Sequence, residues 1–378
     1  MEFKLILKKI NNTLTKAETE VFNEWYSESE DHRAYFELVK EKYDGEKESV
    51  DLEEGWETVL RSIDSKKKNK VLWKYAAAIA ILIAGSLTYY ILNGAPEQNT
   101  NLPVVTEKTE TIEIGSDKAT LTLEDGSNVF LKKGESYETG HIKSNGEQLV
   151  YQNKSEQENT EVAYNYLTIP RGGQFFIELS DGTKVWLNSD SKLKYPVSFS
   201  ANTSRRVELL YGEAYFDVSP SSENNGVNFI VTTQNQEVEV LGTEFNVKAY
   251  KEEDVISTTL VEGKVSVNNN SSKTNLAIGH QSKLNKLTNE IETLKVNIYN
   301  EVSWKSGFFS FQNMPLKDIM TVLSRWYDVD VFFENDRIQD VTFNGVFSKK
   351  QSIEEILSII ENTNETTYKI NGKAVLMK

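Results

Sequence analysis

The chain has 378 residues, enough for two or three ordinary domains, and 38% of them are hydrophobic, which is enough to build real cores. Its net charge of −15 argues against direct binding of nucleic acid, because a nucleic-acid surface must neutralise phosphates. The absence of cysteine excludes disulfides, thiolate nucleophiles and cysteine-ligated metals, but it leaves the cellular compartment open, since periplasmic proteins can also lack disulfides.

Residues 1–70 have the pattern of a small all-α domain. Apolar residues from Ala17 to Trp25 recur at helical spacing after a capping box that starts at Thr15, and two further short helices are predicted from Asp31 and around Trp56. Within residues 1–64 there are 9 Lys or Arg and 17 Asp or Glu, so the net charge is −8. Because three short helices enclose little core, the pattern favours an acidic module that folds around a basic protein partner. A self-sufficient bundle with an aromatic core is the alternative.

Residues 71–92, VLWKYAAAIAILIAGSLTYYIL, are predicted to form a single transmembrane helix. From Tyr75 onward 18 residues pass without a charge, and at about 1.5 Å per residue they span roughly 27 Å, close to a bilayer core. A buried core helix and a signal peptide are weaker alternatives, the second because about seventy residues come first. Lysines crowd the N-terminal flank, which predicts a cytoplasmic N-terminus. The predicted membrane-flanking residues are Lys66, Lys67, Lys68, Lys70 and Trp73.

The segment after this helix begins with a polar linker, residues 93–108, which contains two prolines. Residues 109–296 then alternate apolar and polar side chains, with turn signals every eight to twelve positions. Helical patterns are nearly absent from this stretch. It is therefore predicted to be an all-β domain, with a sandwich and a roll both open.

A repeated Asp-Gly step stands out in this region. The first copy, in LTLEDGSNVFLKKGESY, is Asp125-Gly126, and the second, in IELSDGTKVWLNSDSKLKY, is Asp181-Gly182. Asp-Gly between alternating runs favours a hairpin with a type I′ turn, in which both central residues need φ > 0. Both steps are therefore predicted to be turns, and a catalytic role for Asp181 is the weaker interpretation.

Residues 307–378 have a mixed pattern. The strand FFSFQNM leads into a helix from Pro315 to Tyr327, and two strands follow, Val329–Phe333 and Val341–Val346. A capping box at Ser352 opens a second helix, and two short strands close the segment. The order βαββαββ predicts a small α+β domain whose exposed sheet edges are natural docking sites for another chain.

No constellation in the sequence points to catalysis. Glu178, Asp181, Glu213 and Asp217 could supply a carboxylate pair for glycoside hydrolysis, but they lie on or beside strands of an acidic protein, where turns and solvated faces account for most carboxylates. The three histidines lie in separate contexts, and no HExxH, GxSxG or Walker pattern occurs. We therefore expect no catalytic residue, no metal site and no cofactor.

Several motifs resemble a known family. IPRGGQFFIELSDGTKVWLNSDSKLKYP, RRVELLYGEAYFDV, EVEVLGTEFNVKAY and TTLVEGKVSV resemble, in order and spacing, the periplasmic domain of FecR-type anti-sigma factors. The stretch from Gly307 resembles the secretin/TonB short-N-terminal-like domain that follows it in Bacteroidetes-type members. LTKAETEVFNEWYSESEDHRAYFELV resembles the cytoplasmic sigma-binding segment of the family.

The resemblance implies a relay from the cell surface to transcription. The signalling domain of an outer-membrane TonB-dependent transporter would contact the periplasmic part, and the cytoplasmic end would release or activate an extracytoplasmic-function sigma factor. The chain would then cross the inner membrane once, with its C-terminus in the periplasm. We expect the sigma-binding residues to be Phe22, Trp25, Tyr35 and Phe36, and the transporter-contact residues to be Val341, Phe343, Gly345 and Phe347.

The predicted fold class is thus a multidomain membrane protein. It combines a small all-α cytoplasmic domain, a single transmembrane helix, an all-β periplasmic domain and a small α+β C-terminal domain. The alternative function is an inner-membrane-anchored β-rich binding or adhesion protein, which leaves the acidic N-terminal segment without a role. Inhibition and co-activation of the sigma factor both stay open.

Overall fold

The computed structural model divides into two compact units, Met1–Glu107 and Lys108–Lys378, which are treated separately below. Within them the structure describes residues 8–10, 14–28, 33, 36–37, 40, 111–139, 142–151, 163–200, 202–269, 271–363 and 366–378. Most of the described chain is β-structure, with a smaller α+β region at the C-terminal end.

In the first unit, helix α1 (Lys16–Glu28) begins after Thr15, where the sequence predicts a helix start. The backbone amide and the side-chain hydroxyl of Thr19 both donate to the carbonyl oxygen of Thr15, at 2.9 and 2.8 Å. Residues 33, 36, 37 and 40, from the predicted second helix, are helical. The predicted third helix around Trp56 lies outside the described residues, so the all-α domain stays a prediction.

Within the described ranges, no helix is both long and apolar enough to cross a membrane. The predicted span, residues 71–92, lies outside those ranges and stays a prediction. The same holds for the flanking residues predicted from the positive-inside rule, which are Lys66, Lys67, Lys68, Lys70 and Trp73.

The second unit begins with the β domain, residues 116–295, whose alternating sequence forms 18 strands. The first nine are β1 (Ser116–Thr122), β2 (Asn128–Lys132), β3 (Tyr137–Thr139), β4 (Ile142–Ser144), β5 (Gln148–Tyr151), β6 (Tyr164–Ile169), β7 (Gly173–Glu178), β8 (Lys184–Leu187) and β9 (Ser191–Pro196). The others are β10 (Arg205–Asp217), β11 (Phe229–Thr232), β12 (Glu237–Val240), β13 (Glu244–Ala249), β14 (Val255–Glu262), β15 (Val265–Asn268), β16 (Lys273–Leu276), β17 (His280–Asn285) and β18 (Ile291–Lys295). The prediction of an all-β region is confirmed.

The strands pair in two series that share the long strand β10. One series runs β2-β1-β6-β9-β10-β11-β12-β15-β16. The other runs β3-β4-β5-β7-β8-β10-β13-β14-β17-β18. Inward side chains of both series meet in one core, which includes Leu121, Leu167, Leu193, Ile177, Val185 and Phe245. The two series are therefore layers of one continuous sheet, joined through β10 and through a short parallel pairing of β1 with β7.

The change of partner along β10 occurs at Gly212. Its φ of +99° lies in the region that favours glycine, and a Cβ atom there would come within 2.4 Å of the Cα of Ser191. On one side of this point β10 pairs with β9, and on the other it pairs with β13. Gly212 therefore allows one strand to serve both layers.

The two Asp-Gly steps are hairpin turns, but not of the predicted type. Gly126 and Gly182 have φ of +82° and +81°, whereas neither aspartate is among the residues with positive φ. In both turns the glycine amide donates 2.9 Å back to a leucine carbonyl, Leu123 or Leu179, whose own amide bonds to the residue after the glycine. This is a three-residue loop with a bulge at glycine, which needs positive φ at one position only. The prediction of type I′ was wrong for this reason.

The C-terminal region begins with a short helix, α2 (Ile298–Val302), and a 3₁₀ turn (Ser303–Ser306). The C-terminal domain then follows the predicted βαββαββ order. Its elements are β19 (Phe308–Pro315), α3 (Leu316–Tyr327), β20 (Asp330–Phe333), β21 (Thr342–Ser348), α4 (Ile353–Glu361), β22 (Tyr368–Asn371) and β23 (Ala374–Met377). The strands form two small sheets, β19-β21 and β20-β23-β22, rather than one.

Both helices of the C-terminal domain pack one apolar face into a single core. The predicted capping box is present at α4, where the Ser352 hydroxyl accepts from the Glu355 amide and the Glu355 carboxylate accepts from the Ser352 amide. The face of α3 that was predicted from helical spacing is fully buried. It consists of Leu316, Ile319, Met320 and Leu323.

Candidate functional site

Charged side chains concentrate where the β domain meets the C-terminal domain. We call this region the domain boundary, and define it by Arg171, Gln174, Glu252 and Glu253 of the β domain and Arg325 and Lys349 of the C-terminal domain. The two backbones touch here, because the amide of Gly172 donates 2.7 Å to the carbonyl oxygen of Arg325. The Trp326 ring also lies so close to Gly115 that a Cβ atom there would come within 2.5 Å of it.

Arg325, in the last turn of α3, reaches into the β domain. Its guanidinium is 2.6 Å from a carboxylate oxygen of Glu252 and 2.9 Å from one of Glu253. It also stacks 3.5 Å above the centre of the buried Tyr250 ring, whose hydroxyl donates 3.1 Å to the carbonyl of Ser189. Only 6% of the Arg325 side chain is exposed. Two carboxylates of one loop thus neutralise a buried arginine from the other domain.

Arg171, in the loop between β6 and β7, makes the reciprocal contact. Its Nη2 atom donates 3.0 Å to the carbonyl of Ser324 and also to the carbonyl of Val329, both at the C-terminal end of α3. It pairs with Asp328 at 3.5 Å and with Asp330 at 3.4 Å. The carbonyl of Ser324 also accepts from the amide of Val329, at 3.1 Å, and the partial negative charge at the C-terminal end of a helix favours an arginine there. Each domain therefore places one arginine on the other.

Lys349, just after β21, is buried in the same region. Its amine donates 2.8 Å to the side-chain oxygen of Gln174 and lies 3.6 Å above the centre of the Trp326 ring. Burial lowers the pKa of Lys349 to about 7, although Glu213 and Asp117 act in the opposite direction. The buried surroundings of Lys349 therefore disfavour the charged form of its amine.

A cavity of about 280 Å³ lies beside these contacts. Glu213, one of its polar lining residues, is buried and accepts hydrogen bonds from the side chains of Asn188, at 2.8 Å, and Asn246, at 3.0 Å. Burial raises the pKa of the Glu213 carboxyl, although Lys248 and the two amides oppose this effect. The cavity walls also include Trp304, Phe309, Phe311, Arg325 and Trp326.

The domain boundary was not predicted from the sequence. The PRGG stretch was interpreted only as a turn, which agrees with the φ of +68° at Gly172. Arg171 and Lys349 find partners more than a hundred and fifty positions away along the chain. No local pattern carries such information.

The carboxylates that were considered for glycoside hydrolysis have different structural environments. Asp181 forms a buried ion pair with Arg205, at 2.7 Å, and only 3% of either side chain is exposed. Asp217 pairs loosely with the exposed Lys184 at 4.0 Å, and Glu178 lies opposite Lys184 on the neighbouring strand. Asp181 is therefore a structural residue that ties its hairpin to the start of β10.

The predicted sigma-binding residues lie partly in the first unit's own core. Phe22, Trp25 and Phe36 are 3%, 9% and 9% exposed. The Phe22 ring lies 5.2 Å from Phe36 and 5.8 Å from Trp25, and Tyr26 joins the group at 5.7 Å from Phe22. We call these four residues the aromatic cluster. Tyr35 lies outside the described residues, and the sigma-binding role of all the predicted residues stays a prediction.

The predicted transporter-contact residues lie on β21 or immediately before it. Within the described part of the chain, β21 pairs only with β19, so its other edge has no strand partner. Phe343 and Phe347 pack partly against the C-terminal core, and Gly345 pairs with Phe311 across the sheet. Val341 donates its amide to Ile338 and accepts from Leu316. The part of β21 that is available to a partner is thus its unpaired backbone edge, whereas the rings of Phe343 and Phe347 pack partly against the core.

Comparison with known proteins gives two family matches. The model described as FecR protein matches residues 165–266, and the model described as FecR, C-terminal matches residues 308–377. These two segments of the chain are thus similar to FecR domains. The chain's resemblance to FecR-type anti-sigma factors, predicted from the motifs, is confirmed. No curated protein gives a significant match to this chain.

Two solved structures extend this result. Both are crystal structures of a candidate anti-sigma factor from Parabacteroides distasonis ATCC 8503, at 1.65 and 2.50 Å resolution. The first is 27% identical, with a TM-score of 0.51, and the match covers 56% of this chain and 98% of that chain. The second gives the same identity and TM-score, with coverage of 57% and 98%. About half of this chain therefore shares its fold with that candidate anti-sigma factor.

Proposed function

We propose that this FecR-family protein regulates a sigma factor by binding it. The observation that carries the proposal is the pair of FecR domains in family order, together with the likeness to a candidate anti-sigma factor over almost all of that protein's solved chain. The FecR family is regulatory, which favours a role without catalysis. The partner that we propose is a sigma factor of the extracytoplasmic-function class.

We place sigma binding on residues 1–70. The segment is acidic, and an acidic surface complements the basic DNA- and polymerase-binding surfaces that a sigma factor must present. Because Phe22, Trp25 and Phe36 are buried together, they hold the helices that form this surface, and any direct contact with the sigma factor needs the helices to open. Exposed neighbours such as Asn23 and Glu37 are available for contact without opening.

The test is a pull-down of tagged residues 1–70 from the native cytoplasm, followed by identification of bound proteins by mass spectrometry. We expect a sigma factor to co-purify. Trp25→Ala and Phe36→Ala should abolish its retention, while Lys16→Ala, at an exposed basic position outside the acidic contact surface, serves as the surface control. Circular dichroism of each fragment separates loss of fold from loss of contact. Absence of any sigma factor, under conditions that preserve weak complexes, contradicts the proposal.

We further propose that the chain crosses the inner membrane once through residues 71–92, with the FecR domains in the periplasm. The apolar run and its lysine flank support this arrangement. A reporter fusion after residue 107 checks it: alkaline phosphatase should be active there, and a cytoplasm-only reporter should be silent. The opposite pattern contradicts the topology.

The proposed input partner is the signalling domain of an outer-membrane TonB-dependent transporter. The unpaired edge of β21 supports this proposal, because an open strand edge can accept a strand from a partner. A photo-crosslinking residue at the exposed Asn344 should capture the transporter. The same residue at Lys369, exposed on β22, is the matched control. Equal capture at both positions, or capture at Lys369 alone, contradicts the edge assignment.

A further inference from the structure

The domain boundary is held mainly by charged and hydrogen-bonded contacts. Arg325 lies on two carboxylates and a tyrosine ring, and Arg171 lies on the end of α3. Interfaces between domains of one chain resemble transient protein interfaces unless they are large and hydrophobic. The cavity of about 280 Å³ beside Trp304 and Trp326 shows that the two domains do not fill their shared space.

Lys349 and Glu213 make the closed boundary costly. Both are buried there, 4% and 8% exposed, and the lysine amine donates to the uncharged side chain of Gln174 rather than to a carboxylate. The charged groups that act on the Lys349 amine are Glu213 on β10 and Asp117 on β1. If the domains part, water reaches the amine and the carboxylate and removes this cost. The arginine contacts thus stabilise closure, while the buried lysine opposes it.

We propose that the domain boundary is a latch with two states, in which the C-terminal domain either docks on the β domain or swings away from it as a body. The cores of the two domains stay intact in both states, because each has its own apolar cluster. In the open state the two arginines, Lys349 and the aromatic cavity wall are hydrated. The inference concerns the second unit alone and does not depend on the sigma-factor proposal.

The two-state latch predicts that two substitutions at the domain boundary shift the equilibrium between the open and closed states in opposite directions. Removing an arginine, as in Arg171→Ala, should raise the open population. Lys349→Met, which keeps an unbranched chain of similar length over the Trp326 ring, should raise the closed population. A boundary that is only structural predicts that both changes loosen it. Lys350→Met is the matched control, because this neighbouring lysine is exposed.

The chain has no cysteine, so a pair of labels can be placed without background. Glu124→Cys in the turn between β1 and β2 and Lys369→Cys on β22 put one spin label on each domain at exposed positions. Pulsed electron resonance on the full-length chain in detergent micelles then gives the distribution of distances between the labels. Near-ultraviolet circular dichroism confirms that each variant keeps its packed cores.

We expect Arg171→Ala to show a longer second distance beside the closed one. Adding Lys349→Met to it should reduce the ratio of open to closed molecules at pH 7 by at least about tenfold, a factor worth one unit of pKa. Adding Lys350→Met should leave the ratio unchanged. If Arg171→Ala does not fold, Gln174→Ala replaces it as the opening variant. A single narrow distance in every folded variant overturns the latch, and so does an opening effect of Lys349→Met.

Discussion

The two Asp-Gly hairpins differ in one contact, and this difference predicts very different effects of the same substitution. Asp125 is exposed and only caps its own turn, with its carboxylate accepting 2.8 Å from the Ser127 amide. Asp181 makes the same local bond to Thr183, at 3.1 Å, but its other oxygen lies 2.7 Å from the guanidinium of Arg205. We therefore expect Asp181→Asn to destabilise the protein strongly and Asp125→Asn to have little effect.

The magnitude follows from what Asp181→Asn leaves behind. Arg205 remains buried, with Nη1, the nitrogen that faces Asp181, also donating to the carbonyl of Ser219 at 3.0 Å and Nη2 donating to the carbonyl of Val227 at 3.1 Å, and no carboxylate balances its charge. Removing one partner of a buried ion pair costs about 3–5 kcal/mol, because the remaining charge keeps its desolvation penalty. Asparagine keeps the shape and the bond from the Thr183 amide, so the loss measures the charge rather than a cavity.

The assay is urea unfolding of the full-length chain in detergent, followed by tryptophan fluorescence. Both aspartates are replaced one at a time, and Asp125→Asn is the control for the turn itself. A double variant, Asp181→Leu with Arg205→Met, should recover much of the lost free energy, since an apolar pair carries no desolvation cost. If Asp181→Asn matches Asp125→Asn within error, or if the double variant is worse than Asp181→Asn alone, the ion-pair reasoning fails.

Three further predictions concern other parts of the second unit. Because the pKa of Lys349 is lowered to about 7 in the folded protein, the unfolded chain binds more protons than the folded one above that pH. The free energy of unfolding should therefore rise with pH from about 7 to 10, by up to about 1.4 kcal/mol per pH unit. Lys349→Met should remove this slope, as measured by chemical unfolding at several pH values. Gly212→Ala should lower the unfolding temperature far more than Gly126→Ala, because only Gly212 also meets a neighbouring backbone, and similar losses would contradict the crossing of β10. Ser352→Ala should cost about 1 kcal/mol through loss of the α4 cap, whereas Ser352→Thr should keep most of the stability.

Sequence patterns predict the helices and strands of this protein well, because the spacing of apolar residues within one element shows which of its faces is buried. Helical spacing identified the buried face of α3 residue by residue, and the capping box at Ser352 is present as predicted. Period-two alternation located the strands for the same reason. The alternation also contained a signal that was missed: Arg205 shares the parity of Val207 and Leu209, so it had to point into the core.

Contacts between distant segments could not be predicted in this way. Asp125 and Asp181 stand in nearly identical local sequences, yet only Asp181 meets an inward arginine, because β10 starts beside its hairpin. The type I′ prediction also failed because the rule for Asp-Gly assumes a two-residue loop, whereas both loops have three residues and a bulge at glycine. The contacts of Arg171 and Arg325 form only when the two domains dock, and the pattern of apolar residues within one strand or helix contains no information on that docking.

Under the proposed function, the arginine exchange bears on how a signal passes between the two segments that match FecR domains. Arg171, Glu252 and Glu253 lie in the segment matched as FecR protein, and Arg325 and Lys349 lie in the segment matched as FecR, C-terminal. The two family segments are thus in direct contact rather than joined only by chain. If a partner strand binds at β21, it acts next to Lys349, whose backbone amide donates 2.8 Å to Gly307 at the start of β19. A shift of β21 would therefore move the buried lysine first, and through it the contact with the β domain.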